Sequence, residues 1–350
     1  MARRLRAASM TGGGVFVRGA SYVLGEQEAD YTAIDNLGEL ARRFGLAPNA
    51  GLWGWGGIRT TRRDLAELAT EAGAATLRAA GVEASSIDAL LLCSNRIPGP
   101  AEGHGRFVAD VLTGIGLSDI PCYGVNLNRC VNLLAGIDVG RALVVSGRYH
   151  RVLLITTDKV AEGADRMSQF ALFSDGAASC IVAADTGDTQ RVADDGDTHT
   201  LANDSGDGDS GDGDSGDGDS GDAGSYELLG CATAQETATL DWTSQISSDL
   251  ARAVNDRLLT PHGLKLGDIA ALMHANLFKP LVVMKERQAG FSAEQLHTDN
   301  ISRIGHCFAA DPLINLVDRA ALGHVAVGSY CLLAASVPGS RIGALLRRVR

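Results

Sequence analysis

The chain has 350 residues, 45% apolar and 21% charged, the balance of a soluble globular protein long enough for two domain-sized units or one duplicated fold. No apolar run approaches the roughly 18 residues that a membrane span requires, which excludes an integral helical membrane protein. The net charge of −11 resides in one stretch, because 13 Asp and a single Arg lie between Asp185 and Asp222; the remainder is close to neutral and shows no basic surface for nucleic acid phosphates.

At the N-terminus, Arg3, Arg4 and Arg6 are followed by no apolar core, so Met1 to Gly14 does not read as a secretory signal. The cysteines at 93, 122, 130, 180, 231, 307 and 331 are odd in number, widely spread and without a C-x-x-C pair. That pattern predicts free thiols in a reduced, cytoplasmic protein. Asp64 to Ala80 places Leu65, Leu68, Ala72, Ala75 and Leu77 near one face and predicts a helix. Ala89 to Cys93 follows as a short apolar strand. Val131 to Val145 reads as a buried helix and Val152 to Thr156 as a buried strand. Ala178 to Ala184 is a further strand, entered through Phe173-Ser-Asp-Gly176.

From Ser205 to Gly224 the sequence repeats SGDGD three times and closes on SGDAG. With no apolar side chain larger than Ala, this stretch has nothing to bury against its ordering entropy and predicts a disordered, acidic surface insertion. A calcium-binding β-roll, the functional alternative, would need a large apolar residue in each turn. Beyond it, Leu250 to Leu259 and Leu313 to Ala321 read as helices and Ile269 to Met273 as a strand.

Alternation of strands and helices predicts an α/β architecture. Two junctions share a spacing: Gly81 to Ile87 and Gly263 to Ile269 are both six-residue steps, and the strand after each runs out to an asparagine, Asn95 or Asn276. The predicted organisation is an N-terminal half (1–184), an insertion (185–225) and a C-terminal half (226–350) of a duplicated fold.

Three segments carry candidate chemistry. Cys130, within Asn126-Leu-Asn-Arg-Cys130-Val-Asn, opens the predicted buried helix, where unpaired N–H groups and the helix dipole favour a thiolate. His274 and Asn276 follow the Ile269 strand. His306 lies in Gly305-His-Cys-Phe-Ala-Ala-Asp311, a Gly-led turn before the last helix.

These parts, in this order, resemble the thiolase-fold condensing enzymes, and among them the β-ketoacyl-acyl-carrier-protein synthase III group. Gly57-Ile-Arg59 is similar to that family's early Gly-Ile-Arg, and Phe173-Ser-Asp-Gly-Ala-Ala178 to its Phe-Gly-Asp-Gly-Ala-Gly. His274-Ala-Asn276 resembles its His-Gln-Ala-Asn, one residue shorter. Gly305-His306 stands where the family has Gly-Asn, and Val337 to Gly343 where it has a glycine-rich turn. The resemblance implies a five-layer αβαβα fold, with the Asn of the usual Cys-His-Asn set replaced by His.

It further implies that Cys130 takes an acyl group from a thioester, with His274 near it polarising the carbonyl, His306 as a second donor, and the N–H groups of Cys130 and Gly339 as oxyanion hole. Trp55, Asn276 and Arg129 are the implied substrate contacts; Arg129 reads equally as a surface or dimer residue. The expected partners are an acyl carrier protein or coenzyme A thioester and a second copy of the chain, with no metal, cofactor, nucleic acid or membrane. Decarboxylative C–C condensation in specialised polyketide or fatty-acyl metabolite synthesis is the leading expectation. Acyl transfer to a hydroxyl or amine, and a catalytically silent subunit of a heteromeric enzyme, stay open.

Overall fold

Apolar runs such as Ala89-Leu-Leu-Leu92, buried on both faces, become the interior of a nine-stranded sheet in the computed structural model, which describes residues 13–117, 119–161, 163–184, 224–241 and 245–350. In chain order the strands are β1 (Val15–Leu24), β2 (Gln27–Asp30), β3 (Gly57–Thr60), β4 (Ala89–Leu92), β5 (Cys122–Gly124), β6 (Arg151–Asp158), β7 (Gly176–Ala184), β8 (Ser225–Gln235), β9 (Ile269–Met273), β10 (Tyr330–Val337) and β11 (Ser340–Arg348). The α-helices are α1 (Leu37–Arg43), α2 (Ala50–Trp53), α3 (Leu65–Ala80), α4 (His104–Ile115), α5 (Asn132–Val145), α6 (Ser248–Leu259), α7 (Lys279–Gln288), α8 (Asp299–Ile304) and α9 (Asp311–Ala321). None of them is long and apolar enough to cross a membrane.

Strand order is β5-β4-β6-β7-β1-β8-β11-β10-β9, with β2 and β3 forming a separate hairpin-like pair. Read inward from either edge, the two halves repeat one another. β4 and β6 are parallel and β7 turns antiparallel to β6; β9 and β10 are parallel and β11 turns antiparallel to β10. Even β5, parallel to β4, has a reduced counterpart in the parallel bridge between Leu296 and Leu272 of β9. The halves join where β1 pairs antiparallel with both β7 and β8.

Five layers result. The helices α5 and α9 lie between the half-sheets and touch strands of both, while α3 with α4 and α6 with α7 cover the outer faces. The inner helix α5 buries Leu133, Leu134, Ile137 and Val144, each a gain of about 1.5–3 kcal/mol in removed apolar surface. Residues 185–223 of the expected insertion lie outside the described residues; Ser225, assigned to it from sequence, is the first residue of β8.

The helix expected from Val131 starts one residue later. Arg129 adopts a left-handed φ of 57°, a short 3₁₀ turn spans Arg129–Val131, and the Asn132 side chain accepts from Asn128 N–H at 2.8 Å. Cys130 therefore sits within a tight turn that leads into α5.

Candidate active site

The motifs quoted from the sequence hydrogen-bond to each other. Arg59 N–H donates to Ser174 Oγ at 2.8 Å, and Asp175 N–H donates to the Arg59 carbonyl at 2.8 Å. Ser174 Oγ also donates to the Ile304 carbonyl. A parallel bridge then clamps the His306 backbone: His306 N–H donates to Leu172 O at 2.8 Å, and Ser174 N–H donates to His306 O at 2.9 Å. Gly305, at φ +65°, is the residue that permits this approach, because a Cβ there would meet Leu172 O at 2.8 Å.

Held this way, the His306 ring lies against Phe173, with ring centroids 5.1 Å apart, bonds to Asp311, and lines the same cavity as Cys130. Nδ1 is shared with Asp311 Oδ2, which leaves Nε2 for the sulfur. Asp311 is itself fixed, accepting from Asn276 N–H at 2.6 Å and Cys307 N–H at 2.7 Å. As the first residue of α9 it also lies at the positive end of a helix dipole. Burial works against a charged His306, yet the Asp311 carboxylate, and then the negative charge available at Cys130, outweigh it and push the ring up to about 10.

Two asparagines complete the setting of the sulfur. Asn95 Nδ2 donates to Cys130 Sγ at 3.5 Å. Its amide is oriented by Asn132 Nδ2, which donates to Asn95 Oδ1 at 3.2 Å, so the donor end faces the sulfur. Asn95 N–H in turn donates to Asp158 Oδ1 at 2.7 Å; burial pushes that carboxyl up to about 7. Neither Asp311 nor Asn95 was assigned a role from sequence. Asp311 stood in the same turn as His306, five residues on, and Asn95 at the end of its strand, but nothing in their spacing relates them to Cys130.

A cavity of about 300 Å³ opens at Cys130 and His306, with an apolar wall of Phe170, Phe173, Ile246, Leu277, Val337 and Pro338. The other expected site residues fall outside its lining. His274 is buried and lines the adjoining cavity, whereas His306 lines the one that holds Cys130. The Asn276 side chain is consumed in packing, donating to Gly305 O at 3.0 Å and accepting from Asn315 Nδ2 at 3.0 Å, so it is a scaffold residue and not a substrate contact. Trp55 belongs to an apolar cluster, with ring centroids 5.8 Å from Tyr31 and 6.2 Å from Phe278.

Arg129 spans the two halves instead of facing the cavity, donating to Pro338 O at 2.8 Å and Leu240 O at 3.3 Å. It ties the Cys130 turn to the β10–β11 hairpin. Gly339, at φ +72° in that hairpin, follows Pro338 of the wall and packs against the Thr239 backbone, and its carbonyl accepts from Glu236 N–H at 2.9 Å.

Comparison with known proteins agrees with this picture. The family described as 3-oxoacyl-acyl-carrier-protein synthase III matches residues 126–196, the stretch that holds Cys130 and α5. β-Ketoacyl-acyl-carrier-protein synthase III of Fusobacterium nucleatum subsp. nucleatum is 30% identical over 118 residues, 33% of this chain and 35% of that protein. The same enzyme of Chlamydia pneumoniae is 36% identical over 70 residues, 19% of this chain and 21% of that protein. These matches thus span about a third of the curated relatives' length or less.

Among solved structures, ChlB3, described as an acyltransferase, superposes with a TM-score of 0.73 at 13% identity, over 96% of this chain and 98% of that one. The 3-oxoacyl-acyl-carrier-protein synthase III of Aquifex aeolicus VF5 gives 0.70 at 15% identity, over 95% and 100%. A variant of Xanthomonas campestris OleA gives 0.73 at 15%, over 97% and 100%. At such identity the structures show the fold alone. The chain thus shares the fold of these structures along its whole length, and it resembles the 3-oxoacyl-acyl-carrier-protein synthase III family in sequence over the stretch that holds Cys130.

Proposed function

We propose that the chain is an acyltransferase that loads an acyl group from a thioester onto Cys130 and passes it to a hydroxyl or amine acceptor. The observation that supports this reading is the pairing of His306 with the buried Asp311 carboxylate in the wall of the cavity that also holds Cys130. A histidine held by a buried carboxylate is built to move a proton, whereas condensation chemistry needs two fixed, neutral donors on the extender's carbonyl.

In the loading half-reaction, the Cys130 sulfur attacks the thioester carbonyl and the negative charge develops on its oxygen. The Cys130 N–H is the proposed donor to that oxygen, with the Gly339 N–H as its expected partner. As the carbon–sulfur bond of the donor breaks, charged His306 gives its proton to the departing thiolate, which leaves as the thiol. In the second half-reaction the now neutral ring takes a proton from the acceptor's hydroxyl or amine as that atom attacks the acyl-enzyme, and the sulfur leaves as thiolate. Asp311 keeps Nδ1 protonated throughout and so keeps Nε2 aimed at the reacting atoms. The donor rides on an acyl carrier protein or coenzyme A, and the working unit is a cytoplasmic homodimer.

Intact-protein mass spectrometry with a panel of acyl-coenzyme A and acyl-carrier donors tests the reading, run beside Cys130→Ala. The expected result is a gain of one acyl group, absent in the variant and discharged by an alcohol or amine. With a malonyl donor the carboxyl group is retained. Release of carbon dioxide with a new C–C bond would restore decarboxylative condensation. No adduct with any donor would turn the reading to a silent subunit.

A further inference from the structure

Beside the Cys130 cavity lies a second, small one, and the two share Ile246, Leu277 and Ser336 as wall residues. The second carries more polar groups than the first, set among apolar side chains. Its polar lining is Ser247, Lys285, His274, Ser336, Glu286 and Arg341, the last four with relative exposures of 2%, 8%, 5% and 1%. Arg341 and Glu286 form a two-pronged ion pair, Nη1 to Oε1 and Nη2 to Oε2, and Arg341 Nη1 also donates to Ser336 Oγ at 3.0 Å. Among the described residues, two buried atoms here have no hydrogen-bond partner, His274 Nε2 and Arg341 Nε. A buried polar atom without a partner loses its hydration with nothing in return, a loss that a ligand can recover.

The hydrogen bonds fix what that ligand must offer. His274 Nδ1 is 2.8 Å from the Ala275 carbonyl, which only accepts, so Nδ1 carries the ring's proton. Burial lowers the ring's affinity for a second proton, and Nε2 is a bare acceptor. Ser336 Oγ accepts from Arg341 and has its own proton left to give. One wall therefore wants a donor and the other an acceptor. A carboxylate brings no proton for Nε2, and an ammonium brings no acceptor for Ser336. A hydroxyl brings both.

We propose that this chamber is a second subsite that binds a hydroxyl group of a substrate between His274 Nε2 and Ser336 Oγ. The proposal deepens the acyl-transfer reading and rests on it for the substrate's nature. The hydroxyl belongs either to the acyl chain or to the acceptor.

Two matched pairs separate these sources. Loading of Cys130 is timed with 3-hydroxybutyryl- against butyryl-coenzyme A, and discharge of the butyryl-enzyme with propane-1,3-diol against propan-1-ol. A preference of about tenfold or more for the hydroxylated member of one pair is expected, which His274→Leu reduces to about twofold or less. His274→Gln, which restores an acceptor, returns part of it. Because each result is a ratio within one variant, a general loss of activity does not imitate it.

The chamber is also tested without turnover, in Cys130→Ala protein with ¹⁵N-labelled histidine. The His274 Nε2 resonance should move with 3-hydroxybutyryl- but not butyryl-coenzyme A, or with propane-1,3-diol but not 1,3-dimethoxypropane. If Cys130 takes no acyl group, the acyl-transfer reading fails and this spectrum alone decides the subsite. No preference in either pair and an unmoved resonance overturn it.

Discussion

At the scale of single residues, the consequential feature of the proposed proton path is that one turn supplies both His306 and Asp311 to a cysteine from a distant segment, Cys130. Removing the charge of Asp311 tests it most directly. Asp311→Asn keeps the shape but sets an NH₂ group against N–H donors that the carboxylate now satisfies, and it removes the main reason His306 keeps its proton. Loading of Cys130 should slow by about 10²- to 10⁴-fold. The pH profile distinguishes this from simple misfolding. Wild-type His306 is raised to about 10, so the protonated ring that assists the leaving thiol persists through neutral pH and is lost as pH rises through that value. In Asp311→Asn the alkaline fall should move to lower pH. Asn95→Ala removes one donor to the sulfur and should slow loading by about tenfold with the profile in place. Much of this was legible: Cys130 at a helix start and His306 after a glycine are sequence signals. Which histidine meets the sulfur was not, because the backbone clamp between Leu172, Ser174 and His306 joins segments more than 130 residues apart.

Among elements, α3 shows what local chemistry writes plainly. Asp64 and Glu67 form a capping box, with Asp64 N–H donating to Glu67 Oε2 at 2.7 Å, and Gly81 closes the helix at φ +63°. The predicted span from Asp64 agrees with Leu65–Ala80 to a residue. The polar chamber wall was not legible, since Glu286 of α7 and Arg341 of β11 look like two ordinary surface charges until α7 packs over the hairpin. The inner helix α5 combines both cases: its apolar run was clear, but its depth rests on Gly136, where an added methyl would overlap Cys93 Sγ. Gly136→Ala should cost about 1–3 kcal/mol in urea denaturation and slow the proposed Cys130 loading, because the helix that follows the Cys130 turn is pushed off β4. Adding Cys93→Ala opens the space, and the double variant should recover most of both losses. If it does not, the contact between α5 and β4 is not what sets the position of Cys130.

For the whole molecule, duplication explains why so faint a repeat in sequence predicts so much structure. The shared six-residue step from Gly81 to Ile87 and from Gly263 to Ile269 marks β4 and β9, and the mirrored strand order around them carries the rest. The two halves share backbone pairing while their side chains differ, with Cys130 in one and His274 and His306 in the other. The same topology defines what must connect the halves. Ala184 ends β7 opposite Val15, and Ser225 begins β8 opposite Arg18, on the two sides of β1. Two strand spacings of roughly 4.8 Å and three residues of offset along the strand put these ends about 14 Å apart. An eight-residue Gly/Ser linker spans that distance with slack. Replacing residues 185–223 with it should leave the thermal midpoint within about 2 °C and Cys130 loading within about twofold. It should also remove most of the net negative charge, visible as a raised isoelectric point. A large drop in the midpoint would mean that the acidic segment helps hold β7 and β8 against β1. An unchanged midpoint with lost loading from a carrier-protein donor alone would instead give the segment a part in recognising the carrier.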